Sequence, residues 1–155
     1  MNPSASTDAP TVLSLGQLAV PPRIERELQE LLQGGQSAVY CTVGNAQNGR
    51  PFILYYDVPV LAAAIGFPFV TDVVVPVPSG YPASMIDLAG LPIASPLLSL
   101  VKGGTNSQGT AELDGRQWQL ASYHPHNGGG GPPWDQTKHG FHTYLGHLVA
   151  WLAKL

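Results

Sequence analysis

A chain of 155 residues, 44% of them hydrophobic, is long enough for one domain with a buried core. Seven Lys and Arg against ten Asp and Glu give a net charge of −3 without a basic cluster, which argues against nucleic acid as a partner. The single cysteine, Cys41, excludes an internal disulfide framework and a multi-cysteine zinc site, and no apolar run approaches the ~18 residues that cross a bilayer.

Charged residues make up 11% of the chain, against about 25% in ordinary soluble domains, and so sparse a surface suits a partner interface. Residues 1–20 read as a flexible tail, rich in Pro, Ser and Thr in its first half, without the basic start and long apolar run of a signal peptide. A single domain over residues 21–155, in a reducing cytoplasm and off the membrane, is the expectation.

PPRIERELQELLQGG (21–35) predicts a short helix. Ile24, Leu28, Leu31 and Leu32 form one apolar stripe, Glu and Arg fill the other face, and Gly34-Gly35 stop it. Ala38–Val43 and Pro51–Val60 flank a Gly/Asn/Gln loop and predict a hairpin. The valine-rich run Phe69–Val77 adds a third strand to a meander, and 61–67 (LAAAIGF) stays open between strand extension and helical turn. Residues 78–109 read as one long, proline-pinned connection, of a length that usually serves a function. A second hairpin follows over 110–123, with Asp114-Gly115 as its tight turn. From Phe141 the spacing of Leu145, Leu148, Leu152 and Leu155, with Trp151 beside them, predicts a closing helix. The sum is an α+β fold, helices packed on one antiparallel sheet.

The chemistry concentrates in SYHPHNGGGGPPWDQTKHGFHTYL (122–145), which holds four of the five histidines. Neutral imidazoles bind zinc, so His124, His126, His139 and His142 form one candidate ligand set, with Asp135 as a possible oxygen donor. No paired-histidine helix signature supports it, and His139 and His147 read better as surface or capping histidines. Cys41, in mid-strand among apolar neighbours, reads as a small hydrophobe rather than a nucleophile. Ser122 and His124 share a strand face, as a hydroxyl and its activating base would, without an identifiable third acid. The four glycines lack the lysine and hydroxyl of a phosphate loop; they suit a close backbone approach or a mobile loop, with Pro132, Pro133 and Trp134 anchoring its far end.

The order of elements, together with Tyr81-Pro82 in a proline-rich stretch (76–92) and His124-Pro125-His126-Asn127, resembles the ubiquitin-conjugating enzyme (UBC) superfamily. The likeness is to its divergent bacterial branch, with Trp118 and His124 before the site and Trp134 and a C-terminal helix after it. It implies a UBC-like fold of N-terminal helix, antiparallel β-meander, proline-rich flap and C-terminal helix. The family's catalytic cysteine belongs shortly after His-Pro-Asn, where this chain has GGGGPPWDQ and no thiol. The resemblance therefore implies a noncatalytic binding or adaptor subunit of a ubiquitin-like protein modification pathway. Its partners would be an activating enzyme or a ubiquitin-like protein, with no cofactor required. Tyr81, Pro82, His124, Pro125, His126, Asn127 and Trp134 are the binding candidates on that basis. Asn127, the family's oxyanion donor, would instead tie down the loop. The alternative is a histidine-based enzyme, zinc-dependent or forming an oxyester through Ser122 or Thr137, with His124 central.

Overall fold

In the computed structural model the described residues are 20–42, 50–61, 69–101, 109–126 and 131–155. The expected tail apart from Val20, most of 61–67, Asn127 and the first three of the four glycines lie outside them.

Helix α1 (Pro22–Gln33) starts on proline, whose missing N–H costs nothing in the first turn, and ends where Gly34 and Gly35 cap it. It buries Ile24, Leu28 and Leu31, and with them Glu27; Leu32, expected on the stripe, is largely exposed. The strands are β1 (Ala38–Thr42), β2 (Pro51–Pro59), β3 (Val70–Pro76), β4 (Leu88–Pro92), β5 (Thr110–Leu113) and β6 (Arg116–Ser122). They form one curled antiparallel sheet in the order β1-β2-β3-β4-β6-β5. The connection expected over 78–109 thus contains a strand. β4 crosses to lie between β3 and β6, and Pro96–Leu100 forms a 3-10 turn capped by Ser95. Asp114 and Gly115 both take positive φ (54° and 69°), as the two-residue turn between β5 and β6 requires.

Buried residues lie on both faces of the sheet, which is why β2 and β3 read as nearly continuous apolar runs. Ile53, Tyr55, Val73, Val75 and Leu91 face the helices, while Phe52, Leu54, Val74, Trp118 and Leu120 fill the inside of the curl. Gly90 makes the curl possible: a Cβ there would lie 2.7 Å from Leu120 Cδ2 and 2.8 Å from Val74 Cγ2. Helix α2 (Phe141–Ala153) packs on β2 and α1 through Phe141, Tyr144, Leu148 and Leu152, all fully buried. Leu145, Trp151 and Leu155 are only half-buried at its margin.

Candidate functional site

The flap after β3 is a compact turn rather than a free loop. Tyr81 N–H donates to Pro78 O at 3.1 Å and Ala83 N–H to Gly80 O at 2.9 Å, with Gly80 at φ 83°. The Tyr81-Pro82 peptide is cis. The Tyr81 ring packs on Phe141 at 4.9 Å between centroids, and its hydroxyl donates to Glu27 Oε1 at 2.7 Å. Burial first, then that carboxylate, pushes the hydroxyl's pKa far up, so Tyr81 acts as a permanent donor. One residue on, Pro82 O accepts from Trp134 Nε1 at 2.9 Å.

Glu27 is the node beneath the flap. Its carboxylate, fully buried, accepts from Tyr81, from the Arg23 guanidinium one turn earlier, and from Phe141 N–H at 3.0 Å. Phe141 N–H belongs to the first turn of α2, where no carbonyl within the helix can pair it. A buried anion at that end also suits the helix dipole. Arg23 in turn donates to His139 O at 2.7 Å. Gly140 is needed at this crossing, because a Cβ would overlap the Glu27 carboxylate and stand 2.7 Å from the Tyr81 hydroxyl. One carboxylate therefore joins α1, the flap and the start of α2.

Behind the flap runs the irregular segment. Tyr123 leaves β6, stacks on Trp151 at 5.4 Å and donates from its hydroxyl to His147 O at 2.8 Å. His126 is fully buried, with Nδ1 2.8 Å from Pro132 O. Its ring meets His139 at 4.5 Å, His147 at 5.0 Å and Trp134 at 5.2 Å between centroids. Nε2 of His126 is buried without a hydrogen-bond partner among the described residues. His139 Nδ1 accepts from Asp135 N–H at 3.0 Å, which requires that nitrogen to be unprotonated. Burial, then the charge His126 would carry, lowers the pKa values of His139 and His147. Gly131 packs so tightly on this turn that a Cβ would overlap Pro125 O. At this glycine the expected close backbone approach is found.

Over this platform lies an open groove of about 640 Å³, lined by Ala83 from the flap and by Pro132 to His139. Its wall combines proline and tryptophan surface with the hydroxyl of Thr137, which donates to Asp135 Oδ1 at 2.6 Å, and with the exposed ammonium of Lys138. Thr137's hydroxyl and backbone N–H hold Asp135 below the usual carboxylate range. Such a surface offers apolar contact with a few polar anchors, the composition of a binding groove.

Of the expected site residues, Tyr81, Pro82, His126 and Trp134 come together here, and Pro125 is buried against Gly131. His124 does not join them: its Nε2 lies 3.1 Å from Ser122 Oγ, both residues exposed, as their shared strand face predicts. The proposed ligand set of His124, His126, His139 and His142 is not assembled. His142 stands in a separate pocket of about 200 Å³ with Glu30, Leu31, Gly34, Gln36 and Leu145. The described residues contain no group of three His, Cys, Asp or Glu side chains placed to hold a metal ion. His139 and His147 are half-buried rather than free at the surface: both pack against His126 as part of the platform, and His139 also lines the groove just before the Gly140 cap. Cys41 lies buried inside the curl, on the other side of the sheet from the helices, and burial pushes its thiol up to about 11.

Two residues were missed from the sequence, Glu27 and His147. The signal for Glu27 is its position three residues after Ile24, at the edge of the arc that Ile24, Leu28 and Leu31 bury. His147 gives a weaker one, one residue before buried Leu148 and three after Tyr144.

Among the described residues no helix is long and apolar enough to cross a membrane. No family model matches the sequence, and no curated protein or solved structure matches it.

Proposed function

We propose that this chain is a noncatalytic, conjugating-enzyme-like binding subunit of a bacterial ubiquitin-like modification pathway, engaging an activating enzyme or a ubiquitin-like protein. The observation that carries the proposal is a groove without a thiol. The flap and the segment after His124-Pro125 meet in an organised, partly apolar surface, Pro132 to His139 contain no cysteine, and Cys41 is sealed on the other side of the sheet. A thiol held near 11 is protonated at neutral pH and cannot receive a thioester. What remains is a scaffold suited to holding a partner.

The test is intact mass spectrometry of the chain recovered from its producing cells, with identification of what copurifies. An unmodified mass with a stoichiometric activating enzyme or ubiquitin-like protein is expected. A covalent ubiquitin-like adduct, or bound zinc with neither partner, overturns the proposal.

One observation favours an enzyme instead, the 3.1 Å contact between Ser122 Oγ and His124 Nε2 on an accessible surface. On that reading an activated ester acylates Ser122, and His124→Ala abolishes the labelling. Absence of a Ser122 adduct removes this alternative.

A further inference from the structure

Two histidine rings tie the groove wall to the platform, and the two ties respond oppositely to a proton. At one end His126 Nδ1 lies 2.8 Å from Pro132 O. A carbonyl only accepts, so that nitrogen carries hydrogen and the bond survives a charge on the ring. At the other end Asp135 N–H donates to His139 Nδ1 at 3.0 Å, and here the ring must be the acceptor. Neutral His139 therefore holds its proton on Nε2. An imidazolium carries hydrogen on both nitrogens, so neither orientation of a charged ring offers Asp135 N–H an acceptor.

The surroundings set when that happens. Facing His139 are His126 from the segment after β6, His142 and His147 from α2, and Asp135 and Lys138 from its own turn. Arg23 of α1, itself paired with Glu27, donates to His139 O. Burial first, then the neighbouring imidazoles and Lys138, oppose a charge on His139, and Asp135 favours it. The ring is accordingly neutral at pH 7 and charges below the ordinary imidazole value of ~6.5. The rest of the turn does not depend on it. Asp135 O accepts from Lys138 N–H at 3.0 Å and His139 N–H at 2.8 Å, and Asp135 Oδ1 accepts from Thr137. Loss of the one bond frees the wall at Asp135 while the turn stays formed.

We propose that His139 is a proton-operated latch on the groove, closed while Nδ1 accepts from Asp135 N–H and released when the ring takes a second proton. Binding in the groove is then strongest at and above neutral pH and weakens on acidification. The inference rests on the groove being the binding surface proposed above, whichever partner fills it.

The test is solution NMR of the full chain. At pH 7.5, proton–nitrogen correlations across the imidazole should show His139 bearing its proton on Nε2 alone. Between pH 7.5 and 5.0 the hydrogen-exchange protection of the Asp135 amide should fall about tenfold or more, with the midpoint of the His139 ring. The Lys138 and Tyr144 amides, whose acceptors are carbonyls, should keep theirs within about twofold. Ala83 and Trp134 resonances should shift with the same midpoint. His139→Asn puts Oδ1 near the place of Nδ1, an acceptor that no proton removes, and should hold the Asp135 amide at both pH values. A proton on Nδ1 at pH 7.5, Asp135 protection that stays level through the His139 titration, or equal loss of it in His139→Asn overturns the proposal. If the variant does not fold, the titration of the native chain decides alone. These readings need no partner, so the latch and the proposed pathway stand or fall separately.

Discussion

Replacing Glu27 should damage this protein more than any comparable change on its surface. In Glu27→Ala the Tyr81 hydroxyl and Phe141 N–H lose their acceptor inside the protein, and Arg23 loses its counter-charge. A buried donor left unpaired costs about 1–3 kcal/mol, and removing one partner of a buried ion pair costs about 3–5 kcal/mol. Because the three donors share one carboxylate these terms overlap, so we expect a total of roughly 3–5 kcal/mol. For a chain of this length that lowers the melting temperature by roughly 6–20 °C. Glu27→Gln keeps Oε1 as the acceptor for Tyr81 and Phe141 but turns an amide NH2 toward the Arg23 guanidinium, which loses both acceptor and counter-charge, so its cost should be about 1–3 kcal/mol. Thermal melts followed by far-UV circular dichroism measure both. A double-mutant cycle of Glu27→Gln with Tyr81→Phe should return a coupling of about 0.5–3 kcal/mol. A Glu27→Ala protein that melts with the unsubstituted chain would falsify the assignment of this carboxylate as the joint between α1, the flap and α2.

The histidine platform should make stability depend on pH. His139 and His147 have lowered pKa values when folded, so the unfolded chain binds their protons at higher pH than the folded one. Stability is then full above the unfolded value near ~6.5 and falls as the pH drops from there toward the folded values. The melting temperature should fall further between pH 7.5 and 5.5 in the native chain than in a His139→Gln, His147→Gln variant; equal losses refute the platform's role. Cys41→Ala should cost only about 1 kcal/mol, and native Cys41 should resist a thiol reagent at pH 7.5 that labels it quickly in denaturant. Rapid labelling of the folded chain would mean that the curl is open. Trp151→Ala should cost about 1–3 kcal/mol, less than a fully buried tryptophan, because its ring is half-buried in a stack on Tyr123. An unchanged melt would show that the stack contributes nothing.

The strands and helices that the sequence declared are those whose own residues pay for them: the valine run of β3, the Asp114-Gly115 turn and the apolar spacing of α2. β4 was not legible, since LAGLP contains a glycine and a proline and no β-branched residue, and a strand of that composition has little local preference. Its place is decided by neighbours. Gly90 fits between Val74 and Leu120 where a side chain would not, and β6 pairs with β4 along its whole length. In the site, Trp134 as an anchor and the shared face of Ser122 and His124 followed from local rules. The histidines did not, because which imidazoles meet depends on how the chain returns from Pro125 to Gly140, and no spacing encodes that path.

Glu27 marks where sequence reasoning reaches its limit. On a helix turning about 100° per residue, Leu28 and Leu31 fall within about 40° of Ile24, Glu27 about 60° to one side and Leu32 about 80° to the other. Position alone therefore favoured burying Glu27 over Leu32, and residue type argued the reverse. Residue type is ordinarily the better guide, since a carboxylate buried without partners is prohibitively costly. It fails here because the partners exist. Tyr81 lies 54 residues along the chain and Phe141 N–H 114, the first on the flap and the second at the start of α2. Neither is visible from within α1. A charged residue at the edge of an apolar arc is thus best read as a question about what distant group satisfies it, and in this protein the answer locates the crossing over which the groove is built.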